Sequence, residues 1–434
     1  MRALQFILAL ALLLILAAAG FVLWSQRSEF AVIEPPQRTS FDNDLIKKGA
    51  NLAAIGNCDV CHTVRGGFAY AGSRPIPTPF GTIYSTNVTP DPETGIGHWS
   101  EEAFSRAMRD GIARDGHHLY PAFPYPHYAR INDNDLNALY AFVMTRTPVS
   151  QRPPANRLPF PVNQRWIIAF WNLLYLDNAA FRADPRQNAE WNRGAYLVDG
   201  LGHCGDCHTP RNLLGAERSS QFLAGGEAEG WSAPALNSTS RAPVPWIAAH
   251  LFSYLRGGSD AEHGAAAGPM QPIVEDLAKA DDGDVRAIAA NIAAQIGEPS
   301  PERRQKAEAL LAQARHSTEP AKPNAGEETA AAMVAGACAG CHIGAATMPP
   351  RGINFKLSTV ISAPDPRGAI FIVLDGIRPS DGQPGPWMPR FDGAFTDAQL
   401  AALLGYLRAH YSDAPAWTDL ETRVRDIRRS RERS

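Results

Sequence analysis

All six cysteines of this chain fall into one repeated spacing. Cys58 and Cys61 precede His62, Cys204 and Cys207 precede His208, and Cys338 and Cys341 precede His342. Two thiols two residues apart, followed at once by an imidazole, form the attachment signature of a c-type haem. The thiols make thioethers to the porphyrin vinyl groups, and the adjacent histidine becomes the proximal iron ligand. A structural zinc site wants four ligands, which two such pairs supply only when they come together. Here the pairs start at 58, 204 and 338, far apart in sequence. A redox dithiol or a disulfide leaves the repeated histidine unexplained. Three covalent haems c are therefore expected. No nucleophile-and-base set and no dinucleotide-binding glycine pattern is left over, so no catalytic residue is assigned.

A haem iron has a sixth position, and a methionine thioether there raises the reduction potential. Met270, in Gly268-Pro269-Met270, and Met388, in Trp387-Met388-Pro389, stand at similar distances ahead of apolar helical stripes. Both are expected to ligate iron. The corresponding stretch of the first repeat reads Tyr120-Pro121-Ala122-Phe123-Pro124-Tyr125-Pro126-His127, with Phe123 where Met is expected. Phenylalanine cannot ligate iron. The sixth ligand of the first haem stays open between Met144, Met108 and His127, or the site is five-coordinate. His117 and His118 are expected at the surface of a glycine-containing loop.

The elements that must hold these groups repeat as well. Gly49-Ala50-Asn51-Leu52 leads into the first motif and Gly194-Ala195-Tyr196-Leu197 into the second. Apolar residues at helical spacing then close each repeat. They are Leu136, Leu139, Tyr140 and Val143, then Val285, Ile288, Ala289 and Ile292, then Leu400, Leu403, Leu404 and Leu407. The spacing predicts a mainly α chain with three tandem domains at 43–150, 188–300 and 325–412, one around each cysteine pair. Residues 151–187 form a connection with an aromatic run from Trp166 to Leu176, and 301–324 a charged linker with a short helix. A basic tail at 413–434 carries Arg423, Arg425, Arg428, Arg429, Arg431 and Arg433.

Residues 1–27 are expected to be a signal-anchor. Leu4 to Trp24 is apolar apart from Gln5, and as a helix it would run about 31 Å, roughly the hydrocarbon core. A cleaved signal peptide ending at Ala17-Ala18-Ala19 is the competing reading. With 41 basic and 44 acidic residues the formal charge is −3, which gives no nucleic-acid signal.

Two long runs carry a resemblance. One is Pro79-Phe80-Gly81-Thr82-Ile83-Tyr84-Ser85-Thr86-Asn87-Val88-Thr89-Pro90-Asp91-Pro92-Glu93-Thr94-Gly95-Ile96-Gly97. The other runs from Gly202-His203-Cys204 through Cys207-His208-Thr209-Pro210-Arg211-Asn212. With them the chain resembles the tri-haem cytochrome c subunits of bacterial membrane-bound periplasmic dehydrogenases acting on alcohols, aldehydes, gluconate and nicotinate-type substrates. That family's alcohol dehydrogenase branch carries Met at the place of Phe123. The third repeat, with Ala363-Pro364-Asp365-Pro366-Arg367 and Ala414-Pro415-Ala416-Trp417, is closer to cytochrome units that accompany molybdenum hydroxylases. The resemblance implies three tandem class I cytochrome c domains after an N-terminal transmembrane helix. It implies an electron-transfer subunit taking electrons from a catalytic dehydrogenase partner to a membrane quinone or terminal oxidase. It places the chain in the cytoplasmic membrane, held in the lipid bilayer by the N-terminal helix, with its haem domains in the periplasm. A haem peroxidase and a free-standing membrane-anchored shuttle are the alternatives.

Overall fold

The computed structural model describes residues 2–343, 352–379 and 385–431, without the side chains of Leu14 and of Ala17 to Ala19. The described chain is mainly helical. Among the described residues the strands form three two-stranded antiparallel hairpins. It divides into two compact units, one of residues 1–183 with 199–203, the other of 184–198 with 204–434. The second unit thus holds two of the three Cys-x-x-Cys-His motifs.

In the first unit the helix Asn43–Ile55 begins because the Asp42 carboxylate accepts from the Asp44 N–H at 2.7 Å. It buries Leu52 and Ile55 completely. Its partner is the helix Asp133–Met144, capped by Asn132, whose side chain accepts from Asp135 N–H at 2.9 Å. The crossing is tight enough to dictate the residue at 49. A Cβ on Gly49 would lie 2.0 Å from the Ala138 carbonyl oxygen. Next to it Lys48 meets the buried carboxylate of Asp135 at 2.6 Å.

The second unit repeats this arrangement. Helix Ala189–Tyr196 crosses helix Asp282–Ile296, and a Cβ on Gly194 would fall 1.9 Å from the Ala287 carbonyl oxygen. Beside it, Arg193 grips Asp284 through two hydrogen bonds of 2.7 and 2.9 Å. The repeated leading segment of the sequence is therefore a helix-crossing device. A basic residue ties the closing helix's first turn, and a glycine lets the two backbones touch.

Gly194→Ala tests the device. Alanine raises helix propensity by about 1 kcal/mol, but the overlap is with backbone, which cannot rotate away. Overpacking of that kind costs about 1–3 kcal/mol or more. The substitution is expected to lower stability by about 2 kcal/mol net of propensity, read as a lower denaturant midpoint of the matured protein. A midpoint equal to or above the parent's would show that the crossing yields.

The third repeat packs differently. Helix Glu328–Ala337 buries Ala330 and Val334 against helix Asp397–Tyr411, which opens with a full capping box of Thr396 and Gln399. Leu400, Leu403, Leu404 and Leu407 all face this core. The helix Pro301–His316 packs Ala307 and Ala314 with Val244 and Leu357. The final helix Leu420–Arg431 buries Val424 and Ile427 in the third core. Arg428 ties it laterally to the Phe395 carbonyl at 2.8 Å; Arg433 lies outside the described residues. In the connection, helix Trp166–Tyr175 buries Ile168 and Ala169 and leaves Trp166, Phe170, Leu173 and Leu174 exposed.

The expected N-terminal transmembrane helix is corrected. Residues Arg2–Ser25 do form a helix, but among the described residues no helix is long and apolar enough to cross a membrane. Its last turn belongs to the first unit. The Phe21 ring lies 6.4 Å from Trp166 and 6.3 Å from Phe170. Ser25 is buried, and its carbonyl bonds His118 Nε2 at 2.9 Å. The stretch ahead of that turn, residues 4 to 20, would reach only about 26 Å at 1.5 Å per residue, short of the roughly 30 Å hydrocarbon core. The same contact corrects the placing of His118, which is buried and not at a loop surface.

Candidate haem sites

Each Cys-x-x-Cys-His motif is a short helical turn. Cys58–His62 forms the first, Cys204 leads into Gly205–His208, and Cys338 leads into Ala339–His342. None of the six cysteines is in a disulfide. Burial raises the Cys207 thiol to about 12 and the Cys338 thiol to about 11.

The three histidines are set in one way. His62 Nδ1 lies 2.7 Å from the Thr86 carbonyl oxygen, His208 Nδ1 2.7 Å from that of Pro234, and His342 Nδ1 2.7 Å from that of Ile353. A carbonyl only accepts, so the proton sits on Nδ1 and Nε2 carries the lone pair. Desolvation by the surrounding chain lowers the pKa of all three rings, outweighing the carbonyl bond that raises it. A neutral ring with its tautomer fixed by a backbone carbonyl is the form that binds a metal through Nε2. The residues present therefore fit covalent haem: two thiols for the vinyl groups and one oriented imidazole for the iron.

Local structure explains where those carbonyls come from. In the first repeat the hairpin of Pro75–Thr78 and Gly81–Tyr84 delivers Thr86. In the second, the hairpin of Gly226–Ala228 and Trp231–Ala233 delivers Pro234. The third has no hairpin there among the described residues; instead Phe355 stacks on the His342 ring at 4.6 Å. Glycine permits the close approach each time. A Cβ on Gly72 would meet Thr86 at 2.4 Å, one on Gly226 the Cys207 carbonyl at 2.5 Å, and one on Gly352 the His342 ring at 2.6 Å.

The candidate sixth ligands are less uniform. Met270 opens the helix Met270–Leu277 and is half-buried. It follows Gly268, whose left-handed φ of 54° and contact with the Trp231 indole leave no room for a side chain. Met388 is half-buried in an extended segment, its N–H donating to the Ile377 carbonyl at 2.8 Å. In the first unit Met108 and Met144 are buried in the helices Glu101–Asp110 and Asp133–Met144. His127 is buried too, with Nδ1 2.8 Å from the Asp199 carbonyl. The Phe123 ring lies 5.4 Å from Tyr128 and 6.4 Å from Tyr125.

Sequence reasoning did not find the carbonyls of Thr86, Pro234 and Ile353, because every residue has one and only the fold selects which is used. It also passed over a group of His250, Asp260 and His263, the last of them buried. The short spacing of Asp260, Glu262 and His263 was its one visible trace.

The cytochrome c family model matches residues 46–147. A subunit of the nicotinate dehydrogenase of Pseudomonas putida is 45% identical over 406 residues, 93% of this chain and 33% of the relative. The chain thus spans about a third of that protein's length. The gluconate 2-dehydrogenase cytochrome c subunit of Pantoea cypripedii is 34% identical over 89% of this chain and 90% of its own. The cytochrome c subunit of the quinone alcohol dehydrogenase of Gluconobacter oxydans is 33% identical, over 89% of this chain and 83% of its own.

Proposed function

This chain belongs to the family of cytochrome c subunits of dehydrogenase complexes, and on that premise we propose that it is an electron-transfer subunit with three covalent haems c. The observation that carries the reading is the threefold arrangement of His62, His208 and His342. Each follows a cysteine pair and holds Nδ1 on a backbone carbonyl. Bound haem supplies one-electron chemistry, while the chain supplies covalent attachment, orientation and a shielded setting. The chain takes electrons from a catalytic dehydrogenase subunit and delivers them to a membrane quinone or a terminal oxidase. It works in the periplasm, at the outer face of the cytoplasmic membrane, because haem attachment of this kind is completed outside the cytoplasm.

Met270 and Met388 are the sixth ligands of the second and third haems in this reading. For the first haem, the ring of His127 is prepared as the proximal rings are, with Nδ1 on a carbonyl. That supports His127 over Met108 and Met144. The three domains are 43–150, 188–300 and 325–412.

The short runs of the third repeat support a molybdenum hydroxylase partner, the likeness to a nicotinate dehydrogenase subunit supports a dehydrogenase of nicotinate type, and Phe123 weakens an alcohol dehydrogenase assignment. Affinity purification of the tagged chain from its native membrane fraction is expected to bring down a large dehydrogenase subunit. The subunit separated from it should oxidise no alcohol, aldehyde or N-heterocycle. Turnover by the separated chain, or its isolation alone under conditions that preserve complexes, would overturn the assignment.

A further inference from the structure

Within the second unit, two imidazoles and one carboxylate converge outside the Cys-x-x-Cys-His motifs, with a second carboxylate, that of Glu262, beside His250. His250 comes from the helix Ala248–Gly257. Asp260, Glu262 and His263 come from the adjacent hairpin of Ser259–Asp260 and Gly264–Ala265. One ligand atom from each of His250, Asp260 and His263 lies within 4.8 Å of the others. His263 Nδ1 is 2.8 Å from Asp260 Oδ1. His250 Nδ1 is 3.4 Å from the same oxygen and 3.6 Å from Glu262 Oε2.

A buried Asp–His pair is the plain alternative, and two observations argue against it. First, His263 Nε2 sits 3.2 Å from the Val244 carbonyl. In a neutral ring the proton is therefore on Nε2, and the Nδ1 lone pair faces a carboxylate oxygen. Two acceptors at 2.8 Å need a cation between them, either a second ring proton or a metal ion. Second, His250 Nδ1 is buried, points at the same carboxylates and has no hydrogen-bond partner. A buried polar atom left unmatched is destabilising.

We propose that His250, Asp260 and His263, with Glu262 beside His250, form a structural binding site for a divalent transition-metal ion, zinc before others. Two imidazoles with carboxylates are a zinc ligand set, and bonds near 2.0–2.1 Å in a tetrahedron put ligand atoms about 3.3 Å apart. The separations of 2.8 and 3.4 Å from Asp260 Oδ1 to the two imidazoles lie either side of that value. One dication also balances the two carboxylate charges. The surroundings have the character of a metal site's outer shell. Val244 orients His263 from behind, Trp246 stacks on the same ring at 3.5 Å, and the Glu262 N–H donates to Asp260 Oδ1 at 2.9 Å. The ion would clamp the Ala248–Gly257 helix to the hairpin just ahead of Gly268 and Met270.

The matured full-length protein, stripped with a chelator and dialysed against zinc chloride, is expected to bind one zinc per chain beyond its haem iron by plasma mass spectrometry. Its thermal midpoint should rise with zinc. His250→Ala is expected to weaken zinc binding by more than about a hundredfold, since even outer-shell changes cost about 10- to 100-fold, with the haem spectrum unchanged. Asp260→Asn should act in the same direction. Zinc-edge absorption of the unsubstituted protein should show two imidazoles in the first shell, a result that needs no variant to fold. No zinc bound, a shell without imidazole, or equal affinity in the parent and both variants would overturn the site.

Discussion

Replacing both Cys204 and Cys207 by Ser is expected to leave two covalent haems per chain in place of the proposed three. Each motif has its own cysteine pair, and each histidine is oriented by its own carbonyl. Loss of one attachment should therefore leave the other two intact. The pyridine haemochrome of the denatured, purified chain measures the covalent content directly. The effect on the fold should be confined to one region. Around His208 the hairpin carbonyl of Pro234 and the close approach of Gly226 to the Cys207 carbonyl belong to the second repeat. The first unit has its own core of Leu52, Ile55, Leu136 and Leu139. A parent protein with two haems or fewer, fully matured, would refute the threefold reading outright. Loss of all three on the double substitution would show that the attachments are not independent.

Much of the site was legible because its chemistry is local. Two thiols and an imidazole on one helical turn need no tertiary information, so Cys58, Cys61 and His62 announce themselves. The closing helices were legible for a similar reason. Leu136, Val285 and Leu400 each start an apolar stripe, and each stripe is buried. What sequence left obscure depends on which backbones meet. Gly49 and Gly194 were visible as a repeat, but the reason for glycine is a carbonyl on a distant helix. The final arginines read only as a basic tail. In the fold, Val424 and Ile427, two apolar residues among many charges, seat that helix in the third core. The N-terminal stretch misled in the other direction. Its composition is that of a membrane helix, but Phe21 and Ser25 are committed to the first unit. Apolar length alone overstated what was free to span.

The axial ligands set the other large expected effect. Met270→Ala and Phe123→Met should shift two different haems in opposite directions. Thioether ligation raises a haem potential, and histidine or an open position lowers it. Met270→Ala is therefore expected to lower one midpoint in a redox titration and to remove one methionine-to-iron charge-transfer band. Phe123→Met is expected to raise the lowest of the three midpoints and add such a band. The fold tolerates that second change on packing grounds. Phe123 is half-buried, touching the rings of Tyr125 and Tyr128, and methionine is the side chain that adapts best to an irregular gap. The new thioether has to displace whatever occupies the sixth position, so the size of the rise reports that ligand. If His127 holds it, the parent's first haem is low in potential, and His127→Ala should open the site to exogenous imidazole. If Met108 or Met144 holds it, the parent shows three methionine bands and Phe123→Met changes none of them. An unchanged titration for Met270→Ala would remove Met270 from the iron, and the reasoning by repeat position would fall with it.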